Sequence, residues 1–388
     1  MKIKELTAYF SLLMFQACFW TTPTNKFSDQ IAKQELSIQL DSVSINSYSL
    51  IDTYSDFGAN YVYAYNPYMH SLDILNLTDQ KISQHIPLSE HGSNKISRSI
   101  MNFTVHNMDS IFIVSDQEIT LINRNGEVVR RMFPLEMPRS TELPESVLRG
   151  KGLFNLYEAN VYYNKGSNSF WISSDQVDKK KMDDVFAWEV LLDSDSVVLH
   201  RFPYPEGMNG MAEYFPYKNI PNIRFGKEGI WYNYPALSDM FFYDISTNAI
   251  ESYVLLSELT ENAVSPLECN DGDLIAKAWC ADNIHFGAPY TCDSGSLLFR
   301  IHLGKGVKME QKDASSDVIY AHTAFLSVFD KTKNLQKLLE VELPIDLGSF
   351  RNCFVVGDSL YLMLPGDEWT SDRLQLVQLS LNTNESNV

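Results

Sequence analysis

The sequence predicts an all-β protein, a six-bladed β-propeller with four-stranded blades. Three observations lead there. No segment after residue 35 has a long helical period, short alternating or wholly apolar runs recur between Asn/Asp/Gly/Ser turns, and those runs fall into six similar units. The 388 residues include 20 Tyr, 22 Phe and 6 Trp, or 12% aromatic, and flat rings pack well on a pleated surface. With 45% hydrophobic and 21% charged residues the composition is globular, which excludes a disordered or collagen-like chain.

Each unit opens with a turn and an aromatic or β-branched strand. The key positions are Tyr61, Ile111, Phe170, Ile230, Leu297 and Leu360, spaced 50, 59, 60, 67 and 63 residues apart. A third strand follows in most units, as at 72–77, 119–123, 241–245, 324–330 and 373–379. Tight turns such as Asn123-Arg-Asn-Gly and Lys331-Thr-Lys-Asn then lead into a fourth strand. The fourth strands close on His85-Ile-Pro-Leu, Met132-Phe-Pro-Leu, Arg201-Phe-Pro-Tyr and Val341-Glu-Leu-Pro. Four strands in six units make the propeller. After residue 381 the last unit has no room for its fourth strand, whereas Glu35–Leu40 (ELSIQL) stands unmatched near the start. Closing the ring with that N-terminal strand, as the completion of the last blade, removes an open sheet edge. Two β-sandwiches are the alternative, and six regular units with a complementary terminus weigh against it.

Residues 1–17 read as a signal peptide. Lys2 and Lys4 give a basic start, and the apolar run from Leu6 to Phe15 is shorter than the about 20 residues of a membrane span. Gln16-Ala17-Cys18 resembles the lipobox of bacterial lipoproteins, with Phe15 and Gln16 where that box carries an aliphatic and a small residue. The resemblance implies lipidation of Cys18 and loss of residues 1–17. Residues 18–34 then read as a polar tether and 35–388 as the propeller. A lipobox followed by a six-bladed, TolB-like propeller with a diffuse Phe/Leu-Pro-Leu blade ending resembles an uncharacterised lipoprotein family of gut-type bacteria, a domain of unknown function. That likeness implies a shape and an address, the cell envelope and its outer membrane, and it implies no catalytic motif.

The formal net charge is -18, from 31 Lys+Arg against 49 Asp+Glu, which excludes a nucleic-acid partner. Without residues 1–17 the chain keeps 29 basic and 48 acidic residues, a net charge of -19. Charge would not hold such a protein on an anionic bilayer, so its membrane partner is reached through the N-terminal lipid. Cys269, Cys280, Cys292 and Cys353 contain no CxxC pair, so no structural zinc is expected. An exported compartment permits disulfides, and Cys280–Cys292 is the favoured pair; buried free thiols are the alternative. The eight histidines contain no HExxH, and no metal or cofactor is expected. Gly357-Asp-Ser-Leu mimics the start of a serine-hydrolase signature, but the same frame at Met108-Asp-Ser-Ile marks both as hairpin turns.

Loop lengths carry the functional reading. In a propeller the first-to-second and third-to-fourth turns lie on one face, and here they are tight. The second-to-third and blade-to-blade connections lie on the other face and hold the long insertions, among them 89–100, 134–160, 203–222 and 258–283. Insertions gathered on one rim of a rigid scaffold predict a binding face. The candidate ligand-binding residues are Tyr68, His70, Tyr204, Tyr214, Phe215, Tyr217, Tyr234, Asp367 and Trp369; for the rings within 203–222 the alternative is a satellite core that plugs the channel mouth. Rings beside carboxylates suit sugar or peptide recognition. The expected protein is a lipid-anchored, exported, non-catalytic propeller that binds a protein, peptide or glycan on this rim. The alternatives are a propeller glycoside hydrolase or lyase, and a structural subunit of an envelope complex.

Overall fold

The computed structural model describes residues 31–56, 58–115, 118–139, 160–174, 184–203, 215, 218, 221–226, 228–267, 273–308, 320–343, 353–364 and 372–381. Cys18, Tyr204, Tyr214, Tyr217, Asp367 and Trp369 lie outside them.

The chain is all-β, and its sheets are built on a four-stranded plan. After β1 (Ile31–Gln39) come β2 (Ile51–Asp56), β3 (Ala59–Asn66), β4 (Ser71–Asn76) and β5 (Lys81–Pro87). The second unit is β6 (Ile100–Asn107), β7 (Ser110–Ser115), β8 (Ile119–Ile122) and β9 (Val128–Met132). The third is β10 (Val161–Asn164), β11 (Ser169–Ser174), β12 (Asp184–Leu191) and β13 (Ser196–Pro203). The fourth is β14 (Asn222–Phe225), β15 (Gly229–Asn233), β16 (Met240–Asp244) and β17 (Ala249–Tyr253). Helix α1 (Asp273–Asp282) precedes the fifth unit, β18 (His285–Thr291) and β19 (Leu297–Leu303) with β22 (Ala324–Asp330) and β23 (Gln336–Leu343). A small hairpin of β20 (Val307–Lys308) and β21 (Tyr320–Ala321) interrupts that unit. The last strands are β24 (Cys353–Val356), β25 (Ser359–Met363) and β26 (Arg373–Leu381).

The N-terminal strand lies where the sequence places it. β1 runs antiparallel along β26 through nine pairs, from Ile31↔Leu381 to Gln39↔Arg373. It begins four residues before Glu35, so 31–34 belong to the strand and not to the tether. Leu36 and Ile38 point inward while Glu35 and Gln39 stay exposed, the period-two pattern of a strand with one covered face. Six separate sheets are not what forms, however. The parallel pair Gln39↔Lys81 joins β1 to β5, so the first and last units merge into one eight-stranded sheet in the order β2-β3-β4-β5-β1-β26-β25-β24. The reason is the last residue of β1: Gln39 pairs with Arg373 of β26 on one side, and on the other its backbone N–H donates to the Gln80 carbonyl at 2.9 Å, at the start of β5.

Apolar clusters join each unit to the next. Tyr63 and Leu72 pack with Phe103 and Ile111; Phe112 and Val114 pack with Phe170 and Trp188. Trp171 meets Tyr232 and Phe286, and Trp231 and Met240 meet Leu298 and Phe329. Tyr290 and Leu326 meet Leu360 and Val377, and Phe354 and Leu376 return to Val62 and Leu75 of the first unit. The packing therefore closes on itself.

First-to-second and third-to-fourth connections are two to five residues long, and several hold a residue in the left-handed region: Gln80, Asn168, Asp195, Asn248 and Asn334. At Gly126, with φ +78°, a Cβ would stand 2.1 Å from the Pro87 carbonyl oxygen, so both the turn and the contact with β5 require glycine. Helix α1 departs from the all-β expectation. It is ten residues long, under three turns, too short to display a period in the sequence. Among the described residues no helix is long and apolar enough to cross a membrane.

Candidate functional site

The first strands of all six units line one cavity of about 470 Å³. In β2, β6 and β10 only the starting parts contribute, residues 49–53, 100–104 and 160–162. Antiparallel pairing sets those starts beside the second-to-third connections: Ile51 pairs with Ala64, just before the turn that carries Tyr68, and Asn222 pairs with Asn233, just before Tyr234. Ser49, on the cavity wall ahead of β2, is exposed. In the first three units the cavity therefore lies toward the end of the first strand that faces the second-to-third connections.

Its walls differ in charge. Asp52 of β2 accepts hydrogen bonds from Val105 N (2.6 Å) and Thr104 Oγ1 (2.9 Å), which staple the first unit to the second, and from Thr53 N (2.8 Å) of its own strand. Desolvation pushes its carboxyl up to about 6, even against those three donors. Arg224 of β14 belongs to the fourth unit, three units on from Asp52 in a cycle of six. One end of its guanidinium donates to Asn160 Oδ1 of the third unit, the other to Tyr290 Oη of the fifth at 3.1 Å. Its Cζ lies 4.8 Å from the centre of the Tyr290 ring, in cation–π range. Cys353 of the sixth unit donates its thiol to the same Tyr290 oxygen at 3.0 Å. Burial raises the Tyr290 phenol far out of the physiological range, so it remains a neutral hydroxyl.

His285 also lines the cavity. Burial, then the Lys218 and His322 charges, hold its imidazole down at about 3, and it is neutral at physiological pH. Lys218 is fully buried behind it, donating to the Ile284 carbonyl at 2.8 Å with its Nζ 3.5 Å from His285 Nδ1. Burial lowers its ammonium, and the neighbouring Cys280 works the other way. Among the described lining residues Asp52 is the one carboxylate. A retaining or inverting glycosidase needs two flanking the scissile bond.

The sequence-predicted ligand residues separate into three groups. Tyr68 is exposed (59%) on the turn after β3. His70, Phe215 and Tyr234 are buried. The His70 ring engages Tyr65 Oη at 2.9 Å and the Ile96 carbonyl at 3.1 Å, while Phe215 and Tyr234 pack in one cluster with Trp279 of α1 against it. The other five lie outside the described residues. The disulfide expectation is corrected: Cys280, Cys292 and Cys353 are free thiols. Cys292 is spent locally, its Sγ 3.1 Å from Ser294 Oγ and accepting from Leu297 N at 3.0 Å, while Cys280 sits on α1 beside Lys218. Among the described residues no cluster of three or more His, Cys, Asp or Glu could hold a metal ion. Arg224, Asn160 and Tyr290 did not stand out in the sequence. The readable signal was a polar residue breaking the first strand of successive units, as at Asp52, Asn102, Asn160, Asn222 and His285.

A family model, DUF4221, described as a domain of unknown function, matches residues 25–341. The chain belongs to the DUF4221 family. A DUF4221 family member from Bacteroides vulgatus superimposes with a TM-score of 0.67 at 13% identity, over 91% of this chain and 98% of that one. A protein from Bacteroides fragilis named as a candidate exported protein gives 0.56 at 11% identity, over 93% and 97%. The β-propeller domain of a fungal Swd1 covers 88% of this chain at 9% identity with a TM-score of 0.40, too distant to argue from. No curated protein matches this DUF4221 chain.

Proposed function

We propose that this DUF4221 protein is an exported, lipid-anchored binding protein of the cell envelope, a six-bladed propeller whose ligand seats at the mouth of the central cavity. Six four-stranded units packed in a closed cycle, with β1 completing the last, support the propeller reading. The observation that carries the function is the cavity: every unit contributes its first strand to its lining. Polar groups from several units converge there on a wall that also offers Tyr162, Phe225 and Phe354, the mixture typical of ligand sites. Among the described lining residues there is one carboxylate, Asp52, held by three donors, which favours binding over carbohydrate cleavage. Anchoring rests on Cys18 and on the likeness to a lipobox. The exposed Tyr68 would flank the mouth, and Tyr214, Tyr217 and Trp369 remain candidate ligand contacts.

The test is a glycan and peptide array probed with residues 31–388, repeated with Ser49→Trp. Ser49 is exposed at the mouth, so an indole there should block entry while leaving the melting temperature unchanged. Loss of array binding in the folded variant supports the cavity; binding of equal strength would move the site elsewhere. For the anchor, Cys18→Ser should shift the protein from the membrane to the soluble fraction, and continued pelleting would sink the lipoprotein reading.

A further inference from the structure

The inference rests on the binding reading above and names the ligand chemistry. The charged groups of the cavity wall are already engaged inside the protein. Asp52 accepts from Val105, Thr104 and Thr53, and Arg224 is held by Asn160, Tyr290 and a further contact. His285 and Tyr290 are neutral at physiological pH. The open positions on the wall are neutral as well. Tyr162 of β10 is half-buried in the lining, and its hydroxyl has no hydrogen-bond partner among the described residues. Burial raises its phenol, which therefore stays protonated and can both donate and accept. Asn222 of β14 is only 9% exposed. Its amide nitrogen donates to the Phe286 carbonyl at 2.9 Å, which fixes the group and leaves Oδ1 without a donor among the described residues. The Tyr162 ring lies 6.4 Å from that of Phe225 at 20°, so the same wall offers a flat apolar surface. An acceptor, a phenol and stacked rings match a sugar, which carries hydroxyls around its edge and C–H groups on its face. A volume of about 470 Å³ lies within the range of small-ligand sites.

We infer that the cavity binds a neutral sugar, with its hydroxyls on Tyr162 Oη and Asn222 Oδ1 and a C–H face toward the Tyr162 and Phe225 rings. Charge is what the site selects against. A uronate would bring a carboxylate to a guanidinium that is already held, and an amino sugar would bring an ammonium to an Asp52 that already has three donors. A charge buried without a partner of its own costs far more than a hydroxyl that finds one. Recognition from β10 and β14 also fixes the geometry, because both strands are paired in their sheets and hold their side chains in place.

Titration calorimetry and thermal shift with glucose and galactose test this, each set against its uronate and its amino sugar, with an N-acetylated dipeptide amide as a neutral ligand that is not a sugar. At least one neutral sugar should bind, at least about tenfold more tightly than its uronate, its amine and the dipeptide amide. Added salt should leave that affinity unchanged, since no charge pair is formed. Tyr162→Phe keeps the ring and removes only the hydroxyl. It should weaken the sugar roughly three- to tenfold and leave the melting temperature unchanged, because the hydroxyl holds nothing in the fold. Undiminished affinity in this variant would overturn the assignment to this wall. Should Tyr162→Phe fail to fold, the neutral and charged series on the unaltered protein still decides. A uronate, an amine or the dipeptide amide binding as well as the neutral sugar would overturn the inference and leave the cavity standing as a site. No binding of any sugar, alongside array binding abolished by Ser49→Trp, would overturn this inference but not the binding function.

Discussion

Two connecting segments are tied to the flank of a sheet by networks centred on a histidine, and the two histidines are driven in opposite directions. The segment after β1 is held by Asp73 of β4, which is buried and accepts from Tyr48 Oη (2.7 Å), Asn66 Nδ2 (3.0 Å), Ser71 Oγ (2.9 Å) and His85 Nδ1 (2.8 Å). The other nitrogen of His85 reaches Asp41 Oδ2 at 2.7 Å. Carboxylates only accept, so His85 satisfies both when it carries two protons. The loop after β17 is held by Arg300 and His302 of β19. Arg300 donates to the carbonyls of Ser238 and, at 2.9 Å, Leu255, and lies over the Phe286 and Phe329 rings. His302 is fully buried between Phe286 and Phe325, with Ser257 Oγ at 3.3 Å and Glu340 at 3.8 Å.

Burial penalises a charged imidazole in both places. At His85 the two aspartates overcome it and the pKa is raised; at His302 the Arg300 charge adds to it and the pKa is lowered. The same residue type is therefore pushed toward the cation in one tether and toward the neutral ring in the other, and its nearest partners decide which.

Removing β1, the strand from which the first tether departs, gives the largest expected effect. A protein starting at Asp41 loses Ile31, Leu36, Ile38 and Leu40, all buried, each worth roughly 1.5–3 kcal/mol. The sum rivals the about 5–15 kcal/mol of a typical domain. Residues 41–388 should fail to show a cooperative melt that residues 31–388 show. Equal melting temperatures for the two would mean that β1 is an ornament on β26.

Next comes the second tether. Arg300→Met should cost about 3–5 kcal/mol in urea unfolding, because the loss strands two buried carbonyls and leaves Glu340 without its guanidinium neighbour. A cost below about 1 kcal/mol would show that the rings and not the charges hold the loop.

Asp73→Asn should be milder, roughly 1–3 kcal/mol, since the amide keeps the shape and one acceptor but cannot receive four donors. Full stability in this variant would mean that the His85 clamp contributes nothing.

The pH profiles should show the smallest effects and separate the tethers most sharply. His85 is raised in the fold, so its contribution is full below the ordinary histidine value of about 6.5 and is lost as pH climbs through its folded value. Asp41 is lowered to about 2, with burial opposing and the bonds from His85 and Ser44 prevailing; its contribution is present above 3.8 and fades as pH falls toward 2. The stability difference between the natural protein and His85→Gln should therefore be greater at pH 5 than at pH 9. His302 is lowered, so its contribution is present above about 6.5 and is lost as pH falls below that. His302→Gln should have a flatter acid limb than the natural protein. Parallel profiles for both variants would erase the contrast between the two histidines.

Local chemistry wrote much of this into the sequence. Alternating residues in ELSIQL marked a strand, and Asn, Asp and Gly in the turns marked tight hairpins, because strand period and left-handed turn residues act over a few positions. The third strands at 72–77 and 324–330 lie within a residue of β4 and on β22 for the same reason. The pairing of β1 with β26, more than 300 residues away, was also legible, since an unmatched strand at one end and a vacant edge at the other are each local facts. Which polar residues face inward was not. His70, Phe215 and Tyr234 looked like loop residues open to a ligand, and the packing of neighbouring units buries them. Cys280 and Cys292, near in sequence, stay apart as thiols because one is on α1 and the other follows β18. Asp52, Asn160, Arg224 and Tyr290 come from four units, and only the cyclic packing of those units sets them around one cavity. The sequence by itself determined strands, turns and the closing partner, each fixed by neighbours along the chain. Charge state, burial and the walls of the cavity were decided by the tertiary structure, because they depend on side chains brought together from distant units.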